Sequence, residues 1–336
     1  MTDTLKDIAV IILNWNGEQL LKEFLPTVVD NSDSRISRIV VADNGSDDAS
    51  LDFVASQFDG RVDILRFDKN YGFAEGYNRA IEHVGDYKYV VLLNSDVAVA
   101  KGWDRALFDY MEANPEAGAC QPKLLSYKHP NYFEYAGASG GYLDRNGYPY
   151  CRGRIFFTCE EDSGQYDDIA EIFWATGACL MIKRSVYLSV GGLDKDFFAH
   201  MEEIDMCWRI NLAGYKVVVV PQAVAYHLGG ASLSAGTSQK TYLNFRNNLL
   251  MLHKNLPRRD YRWALIKRRL YDTIAWLRYI ISFEFRNALA VLRAHRDYAK
   301  MKKNYASHPD KNLIKDNTNI LVEYYIKRHR KFSQLK

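Results

Sequence analysis

The acidic residues between positions 191 and 227 have the types and the spacing that could move a proton. The segment reads GGLDKDFFAHMEEIDMCWRINLAGYKVVVVPQAVAYH and places Glu202, Glu203 and Asp205 where a glycine-containing turn runs into a helix. Crowded carboxylates can raise one another's pKa, and such a group can accept a proton from a hydroxyl. An acidic first turn that suits the helix dipole is the structural alternative. We predict that one of these acids is a general base.

Asp96 and His227 could together hold a divalent metal. Asp96 ends the segment VVLLNSD, and His227 ends the apolar segment VVVVPQAVAYH. One carboxylate, one imidazole, two diphosphate oxygens and water would complete a six-coordinate shell around Mg²⁺ or Mn²⁺. The alternative to a metal ligand is that His227 is a structural residue, hydrogen-bonded to the protein at a strand end. The combination indicates an enzyme that moves a group from a phosphorylated donor.

Apolar runs alternate with helical segments over the first hundred residues. The runs IAVIIL, RIVVA, VDILRF and YVVLLNSD alternate with QLLKEFLPTVVD, LDFVASQF and NYGFAEGYNRAIEHV. This alternation predicts an α/β fold with a doubly wound, mostly parallel sheet. In such sheets ligands bind beyond the C-terminal ends of the strands. Four polar residues fall there: Asn14, Asp43, Asn70 and Asp96.

The rest of the chain divides into an irregular part and a helical part. Residues 120–170 are rich in Tyr, Gly and charge, which favours a β-rich insertion on the acceptor side. The segment GGASLSAGTS after His227 is typical of a flexible loop, and the pattern beyond it is helical, basic and aromatic. We therefore predict a catalytic domain at 1–239 and a basic, aromatic helical region at 240–336.

The charge of the chain is concentrated at its C-terminal end. Residues 254–336 carry 21 Lys and Arg against 7 Asp and Glu, a net of +14, although the whole chain carries +3. A basic tail suits nucleic acid or an anionic membrane. Aromatic residues beside arginines in IAWLRYIISFEF favour an interfacial helix, so we expect an anionic membrane surface as partner and no nucleic acid. Helices packed on the domain with a solvated basic face are the alternative.

Several features bear on the cellular compartment. The five cysteines are widely spaced and form no CxxC pair, which indicates neither a zinc site nor a disulfide framework. The N-terminal apolar run is short and has acidic flanks, unlike a signal peptide, and no run reaches the ~18 apolar residues that span a bilayer. We expect a cytoplasmic protein that is peripheral on the inner face of the cell membrane.

Six segments, in this order, resemble the family 2 glycosyltransferases of the GT-A fold, and the rhamnosyltransferase-like branch is the most similar. They are AVIILNWNG, VVADNGSDDAS, NYGFAEGYNRAI, VVLLNSD, WATGACLMIKR and GGLDKDFFAHMEEIDMCWRI. The resemblance covers about residues 6–250. It implies an inverting, metal-dependent enzyme that uses a UDP- or dTDP-sugar. We expect a glycan acceptor, lipid-linked, in cell-surface polysaccharide synthesis.

The resemblance also implies roles for single residues. Binding of the nucleotide sugar falls on Asn14, Asn16, Asp43, Asn70, Gly72, Asn78, Arg79 and Ser95. The family's base pair falls on Glu202 and Glu203, which favours Glu203 as the base, and Asp96 stands where the family's DxD motif ends. His227 matches a histidine that binds the metal in some relatives.

The chain departs from the family pattern at two places. The DxD triplet reads Asn94-Ser95-Asp96, and the base position holds Glu where Asp is usual, so Glu202 and Asp205 stay open as the base.

Two other functions compete with this interpretation. A sugar nucleotidyltransferase would usually carry a Gly- and Lys-rich phosphate loop, which NWNGEQLL lacks. A non-catalytic glycan- or nucleic-acid-binding protein could use the basic tail. The sequence leaves open the sugar, the acceptor, the linkage and the oligomeric state.

Overall fold

The computed structural model describes residues 6–229, 237–305 and 308–335. Residues 1–5 and most of the loop predicted after His227, residues 230–236, lie outside these ranges. The strands are β1 Ile8–Asn14, β2 Ser37–Asp43, β3 Val62–Arg66, β4 Tyr89–Asn94, β5 Val97–Val99, β6 Ala117–Ser126, β7 Gly141–Leu143, β8 Pro149–Cys151, β9 Arg154–Ile155, β10 Thr158–Cys159, β11 Ala170–Ile172, β12 Cys179–Lys183 and β13 Lys216–His227. The helices are α1 Glu18–Asn31, α2 Ser50–Gln57, α3 Gly72–His83, α4 Trp103–Ala113, α5 Arg184–Ser189, α6 Glu202–Leu212, α7 Ser238–Asn255, α8 Arg258–Ile281 and α9 Phe285–Met301.

A central mixed sheet forms the core and confirms the predicted α/β class. Its strand order is β11-β13-β6-β12-β4-β1-β2-β3, and β5 pairs with β13. β1 runs parallel to β2 and β4, and β2 runs parallel to β3, whereas β12 runs antiparallel between β4 and β6. The side chains of residues 8–12, IAVII, are almost fully buried because helices cover both faces of the sheet. Most residue pairs in the sheet are parallel.

The predicted insertion is a second sheet, but it begins later than residue 120. Strands β7 to β10 form a four-stranded antiparallel sheet. Residues 120–126 instead belong to β6, a central strand. Its sequence contains Gln121 and Lys123, which look like surface residues. Both are buried because Gln121 accepts the amide of Thr176 at 3.0 Å and Lys123 pairs with Asp162 at 2.7 Å.

The C-terminal region is helical only in its first part. α7, α8 and α9 pack on one another, and α7 also packs on α6. From residue 308 the described chain has only short helical turns, at Val322–Ile326 and Phe332–Leu335. Asn312 bonds to Asp260 of α8, and the later residues Ile320 and Tyr324 pack on the small sheet. There Tyr324 and Thr158 share a hydrogen bond of 3.0 Å. No helix in the described ranges has the length and the apolar composition to cross a membrane.

Candidate active site

The ends of β1 and β2 bring three of the predicted nucleotide-binding residues together. Asn14 and Asp43 are register partners, and Asn14 Nδ2 donates to Asp43 Oδ1 at 3.0 Å. The backbone N–H of Asn16 donates to Ser46 Oγ at 2.9 Å, and Asn14 Nδ2 lies 3.2 Å from the same oxygen. Asn16 has φ 48°, so its backbone turns sharply at the strand end. These contacts fix the polar edge of the sheet.

Asn70 and Gly72 extend this edge at the start of α3. Asn70 Oδ1 accepts hydrogen bonds from Asn44 Nδ2 at 3.0 Å and from the N–H of Gly72 at 2.8 Å. Gly72 has φ 79°, which favours glycine. A Cβ on Gly76 would lie 2.9 Å from Leu13, so the glycine allows α3 to pack directly on β1. The network therefore positions the loop that precedes α3.

Asn78 and Arg79, both in α3, contact protein groups. Asn78 Nδ2 donates to the carbonyl of Leu193 at 2.8 Å, and Asn78 Oδ1 accepts the Leu193 amide at 3.0 Å. Arg79 pairs with Glu75 at 3.0 Å and stacks 3.8 Å from the ring centroid of Tyr71. Asn78 therefore ties α3 to the turn that precedes α6, and the nucleotide contact predicted for it stays a prediction.

Asp96 and His227 meet at the same end of the sheet. Asp96 follows Ser95 in the turn between β4 and β5, and β5 pairs with the end of β13. His227 Nε2 lies 3.2 Å from Asp96 Oδ1, and His227 Nδ1 lies 3.3 Å from Glu134 Oε1. All three side chains are buried. Burial opposes protonation of the imidazole, but the two carboxylates raise the pKa of His227 to about 10.

Once the imidazole of His227 has lost its proton, the geometry of Asp96 and His227 fits two ligands of one metal ion. Neighbouring ligands in an octahedral Mg²⁺ shell of 2.0–2.1 Å radius are about 3 Å apart. The 3.2 Å between Asp96 Oδ1 and His227 Nε2 matches this separation. No cluster of three or more His, Cys, Asp or Glu suited to a metal occurs within the described ranges. Glu134 faces the other ring nitrogen, where it can orient the imidazole.

Glu202 and Glu203 begin α6 with carboxylate oxygens that have no protein partner. In the described part of the chain, Oε2 of each is buried without a hydrogen bond. Burial and the charge of Glu203 raise the pKa of Glu202 well above its usual range. Burial raises the pKa of Glu203 to about 7. At neutral pH Glu203 is thus close to half ionised, which is the optimum for a general base.

The loop before β12 brings Glu203 to the end of β4. The N–H of Asn94 donates to the carbonyl of Ala178 at 2.9 Å. A Cβ placed on the adjacent Gly177 would lie 3.7 Å from Glu203 Cβ. Glu203 is therefore next to the end of β4, where Asn94 leads into the turn that holds Ser95 and Asp96.

Asp205 has a structural position. Its side chain is fully buried and bonds to Arg209 at 2.9 Å, Lys254 at 2.8 Å and Asn255 at 2.7 Å. Burial alone would raise the pKa of Asp205, but Arg209 and Lys254 lower it below its usual value. A carboxylate held by two cations is a poor proton acceptor. Of the three acids, Glu202 and Glu203 are therefore better candidates for the general base than Asp205.

The backbone before α6 is strained, and α7 holds it in place. Three non-glycine residues have positive φ: Phe198 at 65°, His200 at 68° and Met201 at 74°. Asn247 Nδ2 donates to three carbonyls of this loop, those of Phe197 at 2.9 Å, Ala199 at 2.8 Å and His200 at 2.7 Å. Strained backbone persists where surrounding contacts over-determine it, and it concentrates at functional sites. α7 therefore sets where Glu202 and Glu203 begin their helix.

A cavity of about 1010 Å³ opens beside His227. Glu134 and Lys240 line it, together with the aromatic side chains of Tyr132, Tyr135 and Phe157, whose rings are partly solvent-exposed. The opposite wall comes from the C-terminal helices and the turn between them, through Arg278, Tyr279, Glu284 and Asn287. Large cavities with aromatic walls and a few polar groups are typical ligand sites.

Sequence reasoning missed the residues that support the site from a distance. Glu134 lies in NYFEYAG, where no pattern marks it. Asn247 lies in NFRNNLLML, and there polar residues inside an otherwise apolar helix were an available signal. Trp15, which follows Asn14, has an exposed ring at the strand-end edge and was not singled out either.

Comparisons with known proteins agree on one family. Residues 9–191 match the sequence model described as Glycosyl transferase family 2. The chain is 26% identical over 285 residues to the N-acetylglucosaminyl-diphospho-decaprenol L-rhamnosyltransferase of Mycobacterium tuberculosis, covering 79% of this chain and 90% of that protein. It is 24% identical over 226 residues to the rhamnosyltransferase WbbL of Escherichia coli, covering 66% and 83%.

Solved structures support the fold. GalNAc-T7, crystallised with UDP, GalNAc and Mn²⁺, superposes with a TM-score of 0.61 at 14% identity, covering 98% of this chain and 58% of that chain. The mannosyltransferase PcManGT of Pyrobaculum calidifontis, in complex with GDP-Man and Mn²⁺, superposes with a TM-score of 0.52 at 15% identity, covering 90% and 85%. At these identities the likeness establishes the GT-A fold.

Proposed function

Because the chain belongs to glycosyl transferase family 2, we propose that it transfers a sugar, with inversion, from a UDP- or dTDP-sugar to a hydroxyl of a lipid-linked glycan. One observation carries this proposal. Asp96 and His227 lie in contact at the strand-end edge, near Glu202 and Glu203 of α6, whose Oε2 atoms have no hydrogen-bond partner in the described part of the chain. The family match favours this function over a nucleotidyltransferase or a non-catalytic binding protein.

The donor would lie along the polar edge formed by Asn14, Asp43 and Asn70. Asp96 and His227 would hold Mg²⁺ or Mn²⁺, which neutralises charge on the leaving diphosphate when bound. Two superposed glycosyltransferases contain Mn²⁺ with their nucleotide or donor, which supports a divalent metal in this chain.

Glu203 would act on the acceptor. As the acceptor oxygen bonds to the anomeric carbon, its proton passes to Glu203, and the bond between that carbon and the diphosphate oxygen breaks on the opposite face. The carboxylate is suited to this because its pKa of about 7 matches neutral conditions. Burial and the charge of Glu203 also raise the pKa of Glu202, which disfavours two adjacent buried charges in this pair.

The aromatic cavity beside His227 would take the acceptor glycan. The two rhamnosyltransferase relatives support a deoxyhexose such as rhamnose as the transferred sugar. The name of the mycobacterial relative includes a diphospho-decaprenol, which supports a polyprenyl-diphosphate-linked acceptor in cell-surface polysaccharide synthesis. Such an acceptor would place the enzyme at the cytoplasmic face of the cell membrane.

The proposal is tested by a transfer assay with purified protein, Mn²⁺ and a panel of UDP- and dTDP-sugars. The acceptors are a polyprenyl-diphosphate N-acetylglucosamine and the same sugar without the lipid. We expect transfer from one donor class, with the anomeric configuration inverted by NMR. Retention of configuration, or transfer only from other nucleotide sugars, would contradict the mechanism or the donor assignment respectively.

A further inference from the structure

α8 exposes a stripe of large apolar side chains to solvent. Six residues form it, each 46–75% exposed: Trp263, Ile266, Leu270, Ile274, Leu277 and Ile281. At 3.6 residues per turn they fall within an arc of roughly 80°. This apolar stripe runs along almost the whole helix. Apolar faces of surface helices normally point to the core, so its exposure needs an explanation.

The inward face of α8 is polar where an ordinary amphipathic helix would be apolar. Arg268 and Asp272 are both buried there and form an ion pair of 3.0 Å, and His295 of α9 contacts Asp272 at 2.9 Å. The helix therefore cannot be turned over to bury the apolar stripe without also exposing this pair. The orientation of α8 is fixed, and the stripe stays outside.

Exposed cations flank the apolar stripe on both sides. Arg262 and Arg269 lie along one side, and Lys267 and Arg278 lie along the other. Over residues 258–301 the sequence holds 11 Lys and Arg against 4 Asp and Glu, a net of +7. A basic cleft of about 540 Å³ at the open end of the hairpin adds Arg258, Lys302 and Lys303 to Arg262. Apolar residues with flanking cations are the pattern of a helix that lies in a membrane interface.

The apolar surface continues to the mouth of the candidate active-site cavity. Phe283 and Phe285, in the turn after α8 and at the start of α9, are exposed, with ring centroids 6.1 Å apart. Glu284 lies between them and lines the cavity beside His227, as does Tyr279. The turn between α8 and α9 thus joins the exposed aromatic residues to the wall of the reaction cavity.

We propose that the α8–α9 hairpin lies on an anionic lipid bilayer, with the apolar stripe and Phe283 in the interface and the cavity mouth facing the headgroups. A second copy of the chain is the other candidate occupant. Pairing through the stripe would bring the flanking cations of two copies together, while few acids on α8 and α9 could offset them. An anionic surface complements both the apolar and the charged part. The benefit for a lipid-linked acceptor rests on the proposed function, but the docking itself does not.

Vesicle co-sedimentation tests this with the full chain, without donor or acceptor. Vesicles of phosphatidylcholine with 30% phosphatidylglycerol are compared with phosphatidylcholine alone. We expect binding to the anionic vesicles, and at least tenfold weaker binding for Leu270→Glu/Leu277→Glu. For Lys267→Gln/Arg269→Gln we expect a loss of roughly fivefold per cation. The matched control is Ile169→Glu/Leu188→Glu, which changes exposed apolar residues away from the hairpin and should bind like the parent chain.

Each variant is first shown to keep the parent melting temperature and nucleotide affinity, which separates loss of docking from loss of fold. Equal binding of Leu270→Glu/Leu277→Glu and the parent chain would overturn the proposal. The proposal would also be overturned if sedimentation velocity shows that the parent chain is a dimer, and if this double variant is a monomer that still binds vesicles like the parent chain. A chain that binds vesicles but transfers no sugar would refute the proposed function and leave the docking surface standing.

Discussion

The ionisation of Glu203 can be followed directly through the pH dependence of the transfer rate. Burial raises its pKa to about 7. The ionised fraction then rises from about 0.1 at pH 6 to about 0.9 at pH 8, so kcat should increase roughly tenfold over this range. A glutamate at its ordinary pKa of 4.5 would be almost fully ionised throughout, and the profile would be flat. The predicted slope therefore depends on the buried position of this carboxylate.

The assay measures kcat at saturating donor, acceptor and Mn²⁺ between pH 5.5 and 8.5 for the parent chain, Glu203→Gln and Glu202→Gln. Glu203→Gln should lose about 10²–10⁴-fold in kcat and the rising limb with it. Glu202→Gln serves as the control and should keep the limb near pH 7, since burial accounts for the raised pKa of Glu203. A flat parent profile, or a Glu203→Gln variant that retains the limb, would refute the assignment of the base.

The same substitution makes an independent prediction about stability. A carboxyl whose folded pKa is raised contributes stability at low pH that is lost as the pH rises through the folded pKa. Glu203→Gln should therefore be more stable than the parent by about 3 kcal/mol above pH 7, and this advantage should vanish toward pH 4.5. Urea unfolding at pH 5 and pH 8 measures it. If the difference in unfolding free energy between Glu203→Gln and the parent chain is the same at both pH values, the pKa of Glu203 is not raised.

Three further results are expected. Asp96→Asn and His227→Ala should each weaken calorimetric binding of UDP or dTDP at least tenfold with Mn²⁺ and leave metal-free binding unchanged; if chelation has no effect on the parent, the metal proposal fails. Asn247→Ala should lower kcat more than donor affinity because it frees the strained loop before α6. The control Asn248→Ala loses a single hydrogen bond to Gly147 and should lower only the melting temperature. Asp272→Ala should reduce the unfolding free energy by about 3–5 kcal/mol in urea titration, because it leaves Arg268 buried without its partner; a loss under 1 kcal/mol would mean that the pair is solvated.

The first four strands could be predicted because their signal is local. A continuous apolar run buried on both faces identifies each strand, and the residue that ends the run gives the position of the ligand edge. Asn14 and Asp43 accordingly fall opposite each other in register. β6 was not predicted because Gln121 and Lys123 interrupt its apolar pattern, and their partners Thr176 and Asp162 lie far away in the chain.

The protein partners of Asp205 and Asn78 could not be predicted from their motifs. Lys254, which neutralises Asp205, is 49 residues from it in the sequence. Leu193, whose carbonyl accepts a hydrogen bond from the side chain of Asn78, is 115 residues from Asn78. The apolar periodicity of α8 had a related ambiguity. Periodicity identifies a face but not whether that face points inward, and here the buried Arg268–Asp272 pair decides the orientation.

The contacts between α6 and α7 bear on how this enzyme could be recombined with its relatives. Lys254 and Asn255 neutralise and bind Asp205, and Asn247 holds the loop that precedes Glu202. A chain ended at residue 239 would keep every recognised motif yet leave the Asp205 carboxylate without Lys254 and the loop carbonyls without Asn247. Chimeras designed to exchange acceptor specificity should therefore place their junction after α7, so that α7 and the active site that it supports come from the same protein.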